Sequence, residues 1–131
     1  MNPVVHFEMP AEDTHRMATF YNNVFGWQTQ QMGPEMNNYV VVTTTDTDAT
    51  GRPTIPGTIN GGFYPKEASS QAPIPSVVIA VNDIKAAILK IKEAGGKVLN
   101  EPVQIGGVGW YVSFLDTEGN RSSILQPLNM G

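Results

Sequence analysis

His6 and Glu8, two residues apart near the amino terminus, are the pair on which chemistry could rest. Side chains alternate along a β-strand, so in an extended segment both lie on one face. An imidazole beside a carboxylate can pass a proton without a metal, with Glu8 as general base if apolar walls raise its pKa. The same two groups can instead hydrogen-bond a ligand, and His6 can also be read as a packing residue or a metal ligand. A second group is Trp110 and Tyr111, which follow Gly106-Gly107-Val108-Gly109. That run is flexible enough to bring an aromatic over a ligand. One of the two rings faces a binding cavity and the other the core, and alternation alone does not say which. The glycine run precedes a strand and not a helix amino terminus, so it is not a phosphate cradle. His15, beside Arg16 in a first helical turn, is a solvated side chain with no role.

The elements that position these residues occur twice. Placing Asp13 over Asp83, a spacing of about 70 residues, also pairs Phe7 with Val77, Met9 with Ile79, Ala18 with Ile88, Tyr21 with Ile91 and Gly26 with Gly96. His6 falls opposite Ser76, so its chemistry belongs to the first copy alone. Val4 to Met9 reads as a strand with Val5, Phe7 and Met9 on one face and Val4, His6 and Glu8 on the other. Asp13 or Thr14 caps a helix whose Met17, Phe20, Tyr21 and Val24 form one stripe, ended by Gly26. Strands are expected at 27–32, 39–45 and 58–64, with a Thr-, Asp- and Gly-rich loop at 46–57 suited to mobility. The proline-rich stretch 65–75, with Ser69 and Ser70, links the copies. The second copy has a strand at 77–81, a cap at Asn82 or Asp83, and a helix carrying Ile84, Ala87, Ile88 and Ile91. Strands follow at 97–100, 110–115 and 122–126, with Asp116 to Asn120 as the last turn and Gly119 free for positive φ. The plan is βαβββ repeated. The fold class is α+β, one domain over 1–131 made of two units at about 1–64 and 76–127. Each helix covers one sheet face, so the other face, lined by His6 and Glu8, forms a half-open cup.

The 131 residues, 40% hydrophobic and 15% charged, suit a single buried core and rule out disorder and a membrane span. With net charge −4, the chain lacks the Lys and Arg that would neutralise phosphates, so nucleic acid is not an expected partner. Having no cysteine, it has no disulfide and no thiolate nucleophile or ligand. The first residues lack a basic stretch followed by an apolar run, so no secretory signal is expected and the chain is read as cytoplasmic. Trp27 is assigned to core packing, and Met32 and Met36 to a ligand groove or dimer seam.

The repeat, the Phe20-Tyr21 pair before Val24-Phe25-Gly26-Trp27, and the Phe114-Leu115-Asp116-x-x-Gly119-Asn120 turn together resemble the vicinal oxygen chelate superfamily, which includes glyoxalase I, bleomycin-resistance proteins and extradiol dioxygenases. The resemblance spans essentially the whole chain and implies a cup made of a curved mixed sheet with helices outside. In the family's enzymes it implies a divalent metal held from the first and last strands of each unit. Of those positions His6 matches. Ser76 stands at the second, Asn60-Gly61-Gly62-Phe63 brings no carboxylate to the third, and Ser123 takes the place of the usual Glu.

The expected function is therefore a small-molecule binding protein with a degenerate metal site, no metal and no cofactor, holding an apolar or aromatic ligand. Its candidate contacts are His6, Glu8, Asn60, Phe63, Trp110, Tyr111 and Ser123. The alternatives are a metal-dependent glyoxalase-like lyase, a metal-free proton-transfer enzyme using Glu8 with His6, and an interaction module whose cup is filled by side chains. A homodimer is expected, because exposed sheet faces and edges in a small domain are commonly covered by a symmetric partner.

Overall fold

The computed structural model describes residues 1–67, 70–105 and 108–128. Ser69 of the linker and Gly106 and Gly107 of the glycine run lie outside them. The chain divides into two compact units, one of His6–Ser70 and one of Met1–Val5 with Gln71–Gly131.

In the N-terminal unit, β1 (Val4–Ala11) runs into α1 (Thr14–Phe25), followed by β2 (Gln28–Gln31), a 3₁₀ turn at Pro34–Met36, β3 (Val40–Thr43) and β4 (Asn60–Pro65). The side chain of Asp13 accepts from the Arg16 amide at 2.9 Å and caps α1. Gly26, at φ 75, closes α1 by donating its N–H to the Asn22 carbonyl, a left-handed conformation that glycine adopts without steric cost. The sheet order is β2-β3-β4-β1, with β1 parallel to β4 and the other pairs antiparallel. Val40, Val42 and Phe63 are buried against Phe7, Met9, Met17, Tyr21 and Trp27, so the expected inward face of β1 does carry Phe7 and Met9. Trp27 stacks on Tyr21 at 4.6 Å between ring centres and belongs to this core. The loop expected to be mobile is braced at Asp48, which accepts from Thr50 N, Thr50 Oγ1 and Arg52 N.

The C-terminal unit repeats the plan with one addition. It contains β5 (Ser76–Ala80), α2 (Ile84–Glu93), β6 (Lys97–Val98), β7 (Val103–Ile105), β8 (Gly109–Leu115) and β9 (Arg121–Pro127). β7, on a stretch the sequence pattern passed over, pairs antiparallel with β8. β5 is parallel to β9, which is antiparallel to β8. Asp83 caps α2 through the Ala86 amide at 3.1 Å, the twin of the Asp13 cap. The Ile84 amide donates to the Gln126 side chain at 2.9 Å, pinning the start of α2 to β9. Val81, Ile84, Val112 and Ile124 form the buried core, with Ile88, Ile91 and Phe114 around it. Gly119 has φ 81 in the β8–β9 turn, as its position in the sequence required. Among the described residues, two helices and nine strands make this an α+β fold. Among the described residues, no helix is long and apolar enough to cross a membrane.

Candidate functional site

Each unit has one sheet face away from its helix. In the N-terminal unit the register identifies that face row by row. Gln30 lies opposite Val41, Val41 opposite Gly62, and Gly62 opposite Glu8. A neighbouring row holds Gln28 opposite Thr43, and Asn60 opposite His6. Directly opposed residues share a face, so His6, Glu8 and Asn60 are together on it. Phe63 is not: it is fully buried in the core against Tyr21, on the α1 side. The sequence named Phe63 as a ligand contact, but its parity in β4 turns it the other way.

Tyr39, which the sequence reading passed over, joins the face. It has the parity of Val41 and Thr43, and its hydroxyl lies 3.4 Å from His6 Nε2. It reaches across the sheet because residue 62 is glycine. A Cβ there would collide with the Tyr39 ring and hydroxyl, as one on Gly61 would collide with the Phe7 ring on the opposite face. Two adjacent glycines thus seat two aromatics, one on each side of the sheet. Burial lowers the His6 pKa to about 4, so the imidazole is neutral at pH 7 and keeps one donor and one acceptor nitrogen. Glu8 is 5% exposed and already has an interaction partner. Asn60 turns its Oδ1 to the Thr44 amide at 2.8 Å.

The corresponding face of the C-terminal unit is built of hydroxyls. Ser113 lies opposite Ser123, and Val78 opposite Ser123 on the other side. Tyr111 Oη, Ser123 Oγ and Ser113 Oγ form a triangle with sides of 2.7, 3.0 and 3.3 Å. Three hydroxyls in a ring can each donate once and accept once. The second lone pair of Ser113 accepts from Arg121 Nη2 at 3.1 Å. Of the aromatic pair, Tyr111 is on this face. Trp110 is on the α2 side and 37% exposed. Ser113 and Arg121 were also missed, although a serine between Val112 and Phe114 with the parity of Tyr111 was a usable signal. Ser76 Oγ is buried without a hydrogen-bond partner among the described residues.

Residues 4–124 match the sequence model of the Glyoxalase/Bleomycin resistance protein/Dioxygenase superfamily. The chain belongs to that superfamily. A glyoxylase-like domain-containing protein of Didymella fabae is 34% identical over 130 residues, covering 89% of this chain and 88% of that one. Among solved structures, a methylmalonyl-CoA epimerase in complex with methylmalonyl-CoA and NH4+ superposes with a TM-score of 0.69 at 16% identity, over 98% of this chain and 96% of that one. The methylmalonyl-CoA epimerase from Mycobacterium tuberculosis gives 0.67 at 12% identity, over 96% and 88%. At such identities the likeness establishes the fold.

The residues present do not fit the divalent metal that the superfamily implies. At its four positions stand a neutral imidazole paired with a phenol, an unpartnered serine, a segment whose Asn60 caps a backbone amide and whose Gly62 carries a tyrosine, and a serine locked in a hydroxyl ring. Serine and amide oxygens are poor ligands for the transition metals that one imidazole would attract. Among the described residues, no group of three or more His, Asp or Glu side chains converges. The two faces instead offer hydroxyl, amide and imidazole groups, beside the Glu8 carboxyl on one and the Arg121 guanidinium on the other.

Proposed function

We propose that this superfamily member is a small-molecule binding protein that recognises its ligand by hydrogen bonds and apolar contact, and not by chelation. The observation that carries the reading is the tyrosine hydroxyl bonded to His6 and, in the other unit, the tyrosine hydroxyl bonded to Ser123. Side chains at two metal-ligand positions thus hold phenols. A single domain over 1–131, holding an apolar or aromatic ligand, belongs to the same proposal, as do a cytoplasmic setting and a homodimer. Phe20, Val24 and Phe25 are exposed on α1 and offer a surface for the second copy.

Thermal-shift screening against hydrophobic and aromatic metabolites tests it. A ligand at 100 times its Kd adds about 2.7 kcal/mol, several degrees in Tm for a domain of this size. Elemental analysis after incubation with Zn²⁺, Ni²⁺ and Mn²⁺ should find far less than one ion per chain. A stoichiometric ion lost in His6→Ala would defeat the proposal.

One observation favours a second reading. Glu8 is a buried carboxyl on the His6 face, the setting in which a carboxylate becomes a base. Solvent deuterium incorporation into an acyl thioester, abolished by Glu8→Gln, would establish proton transfer.

A further inference from the structure

We propose that the hollow between the end of β1 and the flank of α1 is a second ligand site, and that it takes a free α-amino acid with an apolar side chain. It goes beyond the function proposed above and lies on the helix side of the sheet, where Ala11 shares the parity of Phe7 and Met9. None of its lining residues belongs to the His6 face.

Three observations carry it. First, the hollow has a volume of about 460 Å³, within the range of small-ligand sites. Second, its apolar wall is open to solvent yet held in place. Phe20 is 55% exposed, and its ring stands edge-on to Tyr21 at 5.1 Å, while Tyr21 is itself stacked on Trp27 and packed on Phe63. Met17, one helical turn before Tyr21, extends the wall. An apolar side chain settling there meets a preformed surface. Third, the rim carries charges of both signs. Arg16 is one turn before Phe20, so the two side chains are neighbours, and among the described residues its guanidinium makes no hydrogen bond or ion pair. The opposite charge comes from Glu12 and Asp13. Glu12 is paired with Lys66 at 4.0 Å, but both groups are exposed and such a pair is weak. Asp13 spends one oxygen on the Arg16 amide and keeps further lone pairs. The end of the helix is thus already capped, and side chains make the site. An anion alone would meet two carboxylates, and a cation alone would meet the guanidinium. A zwitterion pairs with both: its carboxylate takes the guanidinium fork, its ammonium the acidic rim, and its side chain rests on Phe20.

The test is an NMR titration of the full chain with phenylalanine and with hydrocinnamate, phenethylamine and glycine, which lack its ammonium, its carboxylate and its side chain in turn. Phenylalanine should shift the Arg16 Nε–H, the Glu12 and Asp13 amides and the Phe20 ring saturably. Hydrocinnamate and phenethylamine should bind about threefold more weakly, and glycine about tenfold. Arg16→Gln should weaken phenylalanine about threefold and leave phenethylamine no weaker, because only the carboxylate uses the guanidinium. Phe20→Ala should weaken both about fivefold. Both residues are exposed, so neither change threatens the fold. No saturable shift at these residues, hydrocinnamate or phenethylamine binding as tightly as phenylalanine, or an unchanged affinity in Arg16→Gln would overturn the proposal. Shifts confined to His6 and Asn60 would overturn it too, and would support the binding face instead. Val24 and Phe25 line no part of the hollow and remain for a second copy. A copy seated over Phe20 as well, seen as a dimer mass that Phe20→Ala reduces to the monomer while phenylalanine moves no signal, would also overturn the site.

Discussion

The two units share a plan and differ in what fills it. Both have an Asp-capped helix on one side of a mixed sheet, yet the N-terminal core is aromatic and the C-terminal core aliphatic. Their opposite faces differ as well: one pairs an imidazole with a phenol over a bare glycine, the other closes three hydroxyls into a ring. A duplicated scaffold therefore fixes where polar side chains stand and leaves their chemistry free. Both faces are closely packed: Glu8 is 5% exposed on the first, and Ser113 and Ser123 are 4% and 0% exposed on the second, where Arg121 donates to the hydroxyl ring.

The core contrast gives the largest effects. Phe63→Ala should cost about 3–5 kcal/mol, because Tyr21 and the buried valines around the ring cannot collapse into its space. Ile124→Val in the aliphatic core should cost only about 0.5–1.5 kcal/mol. Denaturant melts of both variants check this, and equal losses would erase the distinction between the cores.

Acid should separate the units next. His6 has its folded pKa lowered from 6.5 to about 4, so below pH 6.5 the unfolded chain takes up a proton that the folded chain refuses. Stability is unaffected by this group above pH 6.5. It should fall by roughly 3 kcal/mol as the pH drops towards 4, and level off below that. His6→Gln should flatten that slope in melts between pH 4 and 7. An unchanged slope would mean that the burial of His6 is not what the acid sensitivity reports.

The hydroxyl ring should be less costly to break. Ser123→Ala removes one corner, leaving Tyr111 and Ser113 each short of a partner in a buried site, at a cost of about 1–3 kcal/mol. The long 3.4 Å bond to His6 that Tyr39→Phe removes should be worth less, about 0.5–1.5 kcal/mol. The reverse order, in paired chemical melts, would make the N-terminal face the structural one.

The repeat, the two caps and the inward face of β1 were legible in the sequence because they depend on local rules: alternation, helical spacing and residues that end helices. Seating over glycine was not. The Gly61-Gly62 pair could be seen as a close approach of something, but only the register shows that Phe7 takes one seat and Tyr39 the other. Phe63 was misplaced for a related reason: reading Asn60 to Phe63 as one ligand segment ignored the alternation that turns Phe63 into the core. Trp110 and Tyr111 could be told apart only once Val112 and Ile124 were known to lie together in the core. β7 has three residues with no period of its own and exists because β8 offers it an edge.

The smallest expected difference is between the two caps, and it tests whether the scaffold is as symmetric as the spacing of Asp13 and Asp83 suggests. Asp83→Ala should cost about 1 kcal/mol, because the Ala86 amide loses its acceptor while the Gln126 bond to Ile84 stays in place. Asp13 caps the other helix in the same geometry, and the Arg16 amide, together with the Arg16 charge, holds its carboxyl below the usual carboxylate range. A lowered pKa means that this contribution is present above the ordinary carboxylate pKa and is lost as the pH falls below it. Melts of Asp13→Asn, which keeps a capping oxygen but cannot titrate, should match the wild type at pH 7 and lose less on acidification. If Asp13→Asn tracks the wild type down to pH 3, the cap works by geometry alone and the Asp13 charge adds nothing to it.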